Sequence, residues 1–320
     1  MRSDIYIHHY ELVSRFGLNS RSDRTRHKGV LIKIGDGVGC IHPWRELGDP
    51  SLEELIEDLR KGRFFRPLVR SAIKCAMVDG RARSQGVSVF DKVEVPRSHA
   101  TIVGGSERIE EAVAAGFEVV KMKAGRRVAE EVELLNAMHE RYPNLRWRLD
   151  FNNVLDGGGI RSFIKSLSDG LRAKIDFLED PCEANDRDWA GIRSLYGIPL
   201  AVDRKVEEAR GQFTYAIAKP ALDDITPLCA RAMIEGWELV FTSYMDHPIG
   251  QCYAAWCSGK VEKRFYGLED PVAGLMTHGL FEPDAFIERM GDPSPQWQSP
   301  GGTGFGFDDL LEDVKWEKLK

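Results

Sequence analysis

The sequence contains no run approaching 18 consecutive apolar residues, so no segment reads as a membrane-spanning helix. Its first residues, MRSDIYIHHYELVSRF, carry charges at Arg2, Asp4 and Glu11, where a secretory signal needs an apolar run, and a cytoplasmic protein is expected. The 6 cysteines (Cys40, Cys75, Cys182, Cys229, Cys252 and Cys257) never form a CxxC pair, so buried or free thiols are expected rather than disulfides. The 8 histidines show no HExxH spacing and none directly follows a predicted barrel strand, which argues against a zinc site. No GxGxxG or P-loop follows a strand, and the run Gly157 to Gly159 reads as a loop ahead of a helix. A net charge of −6 excludes the basic surface that nucleic-acid binding leaves. The short basic stretch from Arg21 to Lys28 therefore reads as a local solvated loop.

What remains is ordinary globular usage, 42% hydrophobic and 29% charged residues with a mean hydropathy of −0.33. The 320 residues suit one barrel of about 250 residues plus a smaller unit. The texture changes near Pro96. Before it, YIHHYELV and GVLIKIGDGVGCIH read as strands, the second bent around Gly35, Gly37 and Gly39. Ser51 and Glu54 predict a capping box on a helix closed by Gly62. A second helix follows, with Val69, Ile73 and Met77 at helical intervals.

After Pro96, strands and helices alternate, the pattern of a parallel sheet. Strand candidates fall at 99–103, 117–123, 145–151, 174–180, 198–203, 215–220, 237–243 and 263–268, and eight of them over about 170 residues predict a closed α/β barrel. Ionisable residues end several of these strands: Lys121 and Lys123, Asp150, Glu179 and Asp180, Asp203, and Lys219. In a parallel barrel all strand C-termini meet at one mouth, where such proteins carry their active sites. An acid after a strand is often only a helix cap, but three acids ending three apolar strands leave charges that a divalent cation would compensate. Carboxylates from separate strands make an all-oxygen site suited to Mg²⁺. Lys121 and Lys123, two apart on a strand, face the same way, and crowding of ammonium groups depresses a lysine pKa toward that of a useful base. With Lys219 across the barrel, such a site can bind a carboxylate and remove its α-proton.

In KMK (121–123), DFNN (150–153), EDP (179–181), LAVD ending at Asp203 and AKP (218–220), the sequence resembles the enolase superfamily in its muconate-cycloisomerase-like branch. The resemblance implies a (β/α)7β modified TIM barrel catalytic domain at 97–271 and an α+β capping domain at 1–96, completed by about 272–320. It also implies Mg²⁺, with Mn²⁺ as a substitute, held by Asp150, Glu179 and Asp203. Lys123 and Lys219 then flank the substrate, Lys121 tunes Lys123, and Asn152 and Asp180 orient the ligands. Arg204 and Lys205 depart from the Glu-Ser or similar pair that usually follows the family's third ligand. FLEDPCE (177–183) is similar to a stretch of the o-succinylbenzoate synthases. That implies a carbon–oxygen lyase, dehydrating a cyclohexadiene carboxylate in menaquinone synthesis by proton abstraction. The rival within the branch is a dipeptide epimerase or N-acylamino acid racemase; the epimerases carry an Asp-x-Asp where this chain has Glu269 and Asp270 adjacent. A barrel that binds metal and ligand without turnover is the remaining class.

For the substrate, Ser243 and the amides of Ile249 and Gly250 are candidate carboxylate contacts at a helix start. The loop from Ser14 to Arg26 and the turn from His42 to Leu47 are expected to cover the mouth, and the tail 301–311 to complete the cap. The expected partner is a small carboxylate, and oligomeric state is not legible.

Overall fold

The computed structural model describes residues 4–18, 22–103, 105–184, 186–203, 206, 213–261 and 272–320. The N-terminal part forms an antiparallel meander of β1 (Ile5–Val13), β2 (Arg26–Ile34) and β3 (Gly37–Ile41), paired from Ile5↔Ile34 through Val13↔Arg26 and from Val30↔Ile41 through Ile34↔Gly37. The stretch expected to be one bent strand is thus a hairpin, turned at Gly35 with φ 59°. Gly37 and Gly39 serve close packing rather than bending: a Cβ there would stand 1.9 Å and 2.1 Å from the carbonyl oxygens of Ala76 and Ala72. The basic stretch expected as a loop also enters β2, where Arg26 and Lys28 face solvent and His27 is buried, the alternation of a half-buried strand.

Helix α1 (Leu52–Arg60) starts with the expected capping box between Ser51 and Glu54. Helix α2 (Pro67–Ser84) opens with proline in its first turn and packs Val69, Ala72, Ala76 and Asp79 against the meander. Met77 lies 65% exposed, so the apolar face does not run through it.

The next elements are β4 (Arg97–Ser98), β5 (Ala100–Ile102), α3 (Ser106–Ala114), β6 (Val119–Lys123), α4 (Val128–Arg141), β7 (Arg146–Asp150), α5 (Gly157–Ser166), α6 (Asp169–Arg172) and β8 (Ile175–Glu179). They continue through α7 (Asp186–Tyr196), β9 (Leu200–Val202), β10 (Tyr215–Ala218), α8 (Ile225–Glu235), β11 (Glu238–Phe241), α9 (Pro248–Lys260) and β12 (Val272–Ala273). Strands β5 to β11 form one parallel sheet in sequence order.

The sheet is closed by β12, which pairs in parallel with β4, while Gly274 bridges to Thr242 just beyond β11. The expected eighth strand at 263–268 lies outside the described residues, and the barrel continues past the boundary expected at 271. Gly274 has no room for a side chain, since a Cβ would stand 2.6 Å from the His99 ring. A strand of two residues, Val272 and Ala273, is too short for the pattern by which strands are recognised. The glycine run expected as a loop is the first turn of α5, capped by the Asp156 side chain on the Gly159 amide; Gly157 packs against the Asp188 carboxylate.

After the barrel come α10 (Ala285–Met290), α11 (Asp308–Glu312) and β13 (Glu317–Lys318), which pairs antiparallel with β1. The tail is tied to α2 and β3 by Asp79, whose carboxylate accepts from the amides of Phe305 (2.7 Å) and Val38 (2.8 Å) and from Arg83 Nε (2.7 Å). All six cysteines are free thiols, five of them buried. No helix among the described residues is long and apolar enough to cross a membrane.

Candidate active site

The barrel interior is layered. Phe177, Ala201, Ile217 and Val240, one from each of β8 to β11, form a separate apolar cluster, with the Arg148 guanidinium 4.8 Å above the Phe177 ring. Because side chains on a strand share a face every second residue, the next inward position on each strand is fixed. Two residues beyond Arg148, Phe177, Ala201, Ile217 and Val240 stand Asp150, Glu179, Asp203, Lys219 and Thr242. Lys121 and Lys123 of β6 join them, Lys123 paired in register with Asp150 and Asp150 with Glu179. The structure therefore brings Lys121, Lys123, Asp150, Glu179, Asp203 and Lys219 into one ring, with Asp180 beside it on the Asp203 amide.

Lys121 Nζ lies between two carboxylates, 2.7 Å from Glu179 and 3.1 Å from Asp150. Burial disfavours its charge, but Asp150, Glu179 and Asp203 outweigh burial and hold it protonated. Burial and the neighbouring Asp150 push the Glu179 carboxyl up to about 8, and Oε2 of Glu179 is buried without a hydrogen-bond partner. Asp180, in the left-handed region at φ 42°, is raised to about 7 by burial and by Asp203, whose amide donates to it at 3.3 Å. Asn152 donates to Asp150 at 2.5 Å.

Among the described residues no three histidine, cysteine or carboxylate side chains stand close enough together to hold a metal ion in this arrangement, because the ammonium groups of Lys121 and Lys219 sit against the acids. The donor set itself fits a hard divalent cation: Asp150, Glu179 and Asp203 offer only carboxylate oxygens, and one of those oxygens is an orphan.

The two flanking lysines differ. Lys123 Nζ donates to the carbonyl of Leu18 at 2.9 Å, and burial, with the charge of Lys121, lowers its pKa despite Asp150. Lys219 is ion-paired with Asp203 and lies 5.9 Å from the centre of the Tyr244 ring. A chamber of about 80 Å³ joins these groups with Leu18 and Leu47 of the N-terminal part, and a cavity of about 460 Å³ shares Lys123, Asp150 and Asn152 with it. Together they reach the size of a small-ligand site.

Ser243 lines the chamber, its hydroxyl paired with that of Thr277 at 2.7 Å. Ile249 and Gly250 do not. Their amides donate to His247, at Nδ1 (3.2 Å) and the carbonyl oxygen (2.7 Å), and Gly250 packs against Asp246. The start of α9 is thus satisfied internally, which corrects the expectation of a carboxylate contact there. Sequence reasoning missed Thr242, Tyr244, Thr277 and His99, which also line the chamber. Thr242 was within reach of the period-two argument; the others sit outside the strand ends. Arg204, Lys205, Glu269 and Asp270 lie outside the described residues.

By fold and by this ring, the molecule is a capped (β/α)7β barrel with ionisable groups at its C-terminal mouth. Residues 5–82 match the family model for the O-succinylbenzoate synthase N-terminal domain, and residues 106–237 match the enolase C-terminal domain-like model. The o-succinylbenzoate synthase of Bdellovibrio bacteriovorus is 31% identical over 97% of both chains. The N-succinyl-L-Arg/Lys racemase of Bacillus cereus is 27% identical over 51% of this chain and 47% of its own. A solved structure of the Bacillus cereus N-succinyl Arg/Lys racemase superposes with a TM-score of 0.76, 19% identity and complete coverage of both chains. The L-Ala-D/L-Glu epimerase of Bacillus subtilis gives 0.76 at 16% identity, over 96% of this chain and 98% of its own. The chain belongs to the enolase superfamily and resembles its o-succinylbenzoate synthases.

Proposed function

We propose that the protein is a Mg²⁺-dependent o-succinylbenzoate synthase, a carbon–oxygen lyase that dehydrates 2-succinyl-6-hydroxy-2,4-cyclohexadiene-1-carboxylate in menaquinone biosynthesis. The observation that carries this reading is the asymmetry of the two lysines. A one-base elimination needs one lysine that exchanges a proton and one that stays charged, whereas epimerisation needs two that exchange protons. Lys123 is half-buried, with no carboxylate among the described residues bonded to its ammonium group and with a lowered pKa, as a base requires. Lys219 is held by Asp203 beneath the Tyr244 ring, as a fixed positive charge requires.

In the reaction Lys123 Nζ takes the proton from C1, and the electron pair spreads toward the carboxylate on that carbon, facing Lys219. The same proton then leaves Lys123 with the C6 hydroxyl as water, and the ring becomes aromatic. Lys121, locked between Asp150 and Glu179, contributes a fixed positive charge beside Lys123 and depresses its pKa. Asp150, Glu179 and Asp203 would hold Mg²⁺, which when bound supplies positive charge opposite the substrate carboxylate. Asn152 and Asp180 orient two of those acids. Leu18 and Leu47 line the chamber from the side of the N-terminal part.

The test is the loss of diene absorbance with the purified chain and Mg²⁺, beside Lys123→Ala. General-base removal slows turnover by about 10²- to 10⁴-fold. A wild-type chain that leaves the diene unchanged but racemises N-succinyl amino acids supports the second reading, which the Bacillus cereus racemase similarity favours.

A further inference from the structure

Tyr244 follows β11 at the barrel mouth, yet its side chain belongs to the core of the N-terminal part. It is buried in one cluster with Leu12, Leu18, Trp44 and Leu55, whose buried members among the described residues come mostly from residues 7–72, joined by Phe281 and Ile287. Two hydrogen bonds fasten it there, and a third ties its partners together. Trp44 Nε1 donates to the Tyr244 carbonyl at 2.9 Å, and the Tyr244 hydroxyl donates to Asp49 Oδ2 at 2.9 Å. The same Asp49 oxygen accepts from the Trp44 amide at 2.8 Å. The bonds close a ring through the turn at 44–49, and Leu47, within that turn, lines the chamber. On its other side the Tyr244 ring faces the Lys219 ammonium at 5.9 Å, within the range over which an aromatic face attracts a cation. The next residue, Met245, is held at φ 51°, a backbone state that a bulky side chain adopts only where its surroundings impose it.

We infer that Tyr244 is a positioning residue that couples closure of the 44–49 turn over the chamber to the placement of the Lys219 ammonium. The inference rests on the role proposed above for Lys219. One residue carries two separable contacts. The hydroxyl, through Asp49, holds the turn and with it Leu47; the ring face holds Lys219. Losing the hydroxyl loosens the cover and weakens substrate binding, whereas losing the ring displaces the charge that the developing anion meets.

The experiment compares Tyr244→Phe, Trp44→Phe and Tyr244→Leu with the wild type in the full chain with Mg²⁺. Tyr244→Phe and Trp44→Phe are expected to raise KM about 3- to 10-fold, with a smaller effect on kcat, the pattern of lost uniform binding. Tyr244→Leu is expected to lower kcat at least about 10-fold, beyond its effect on KM. Two further readouts do not depend on turnover: hydrogen exchange of residues 44–49 should quicken in all three variants, and acylation of Lys219 by a small amine reagent, followed by mass spectrometry, should quicken in Tyr244→Leu. If the wild type does not dehydrate the diene but exchange and acylation shift as stated, the functional reading falls and the coupling stands. If the wild type turns over and the folded variants match it in KM, kcat, exchange and acylation, the coupling is overturned. Should Tyr244→Leu fail to fold, Tyr244→Phe decides: a KM and an exchange rate at 44–49 equal to those of the wild type refute the proposal.

Discussion

Replacing Glu179 with glutamine separates the two roles assigned to its carboxylate. The side chain is fully buried, Oε1 bonded to Lys121 and Oε2 without a partner, and burial and Asp150 push the carboxyl to about 8 from its ordinary 4.5. The folded chain therefore holds a proton that the unfolded chain releases. Stability from this source is fully present below pH 4.5 and is lost as pH rises through about 8. At about 1.4 kcal/mol for each pH unit between those values, the loss is on the order of 3 to 5 kcal/mol. Glutamine keeps the acceptor for Lys121 and carries no charge. In urea titrations with EDTA, the variant and wild type should agree within about 1 kcal/mol near pH 4.5, and the variant should be more stable by about 3 to 5 kcal/mol at pH 9. Mg²⁺ should narrow that difference at neutral pH. An ion at 100 times its dissociation constant adds about 2.7 kcal/mol to the chain that binds it, and a variant lacking one carboxylate should gain far less. Equal pH profiles would refute the buried-charge argument, and equal stabilisation of both chains by Mg²⁺ would remove Glu179 from the ion's ligands.

Two further predictions concern the frame around the site. Asp79→Asn keeps one acceptor oxygen where the carboxylate has two, so either the Phe305 amide or the Val38 amide and Arg83 lose their partner. Burial holds the Asp79 carboxyl above its usual range, so removing its charge offsets part of the loss; the net cost should be about 2 to 4 kcal/mol by urea titration. Gly274→Ala places a methyl 2.6 Å from the His99 ring and 2.9 Å from Thr242, and Arg148, bonded to His99 at 2.8 Å, leaves the ring no retreat. A destabilisation of about 1 to 3 kcal/mol, with KM raised because Thr242 lines the chamber, is expected from urea titration and steady-state kinetics; a variant as stable as the wild type would show that the strand can shift.

The charged ring was legible in the sequence because it rests on a periodicity. Glu179, Asp203 and Lys219 each follow an apolar inward-facing strand residue by two, and Asp150 follows Arg148 by two; the pleat turns that spacing into a shared face without tertiary information. The closing strand was not legible, because Val272 and Ala273 are too short a run to show a strand pattern, and the glycine that follows them is required by a histidine 175 residues earlier in the chain. The start of α9 misled for a related reason. A helix N-terminus offers free amides unless a side chain takes them, and His247 does so through a local bond that its residue type does not advertise.

Tyr244 marks the same boundary between local and distant information. Its neighbours in sequence, Ser243 and Met245, line the chamber, and nothing in that order says its own ring should be buried with Trp44, two hundred residues away. Both the turn containing Trp44 and the segment containing Leu18 were expected as covers from their position ahead of the barrel, but what they fasten to depends on the fold. Leu18 accepts from Lys123, and Trp44 and Asp49 hold Tyr244, which faces Lys219. Each flanking lysine thus meets one piece of the cap. A substrate entering the chamber must take over the bond from Lys123 to Leu18 before that lysine can act as a base, whereas Lys219 meets Asp203 and the Tyr244 ring rather than a carbonyl of the cap. The difference between the lysines arises in the cap as well as in the barrel, so changes in cap residues should alter which proton transfers are possible, and not only which substrates fit.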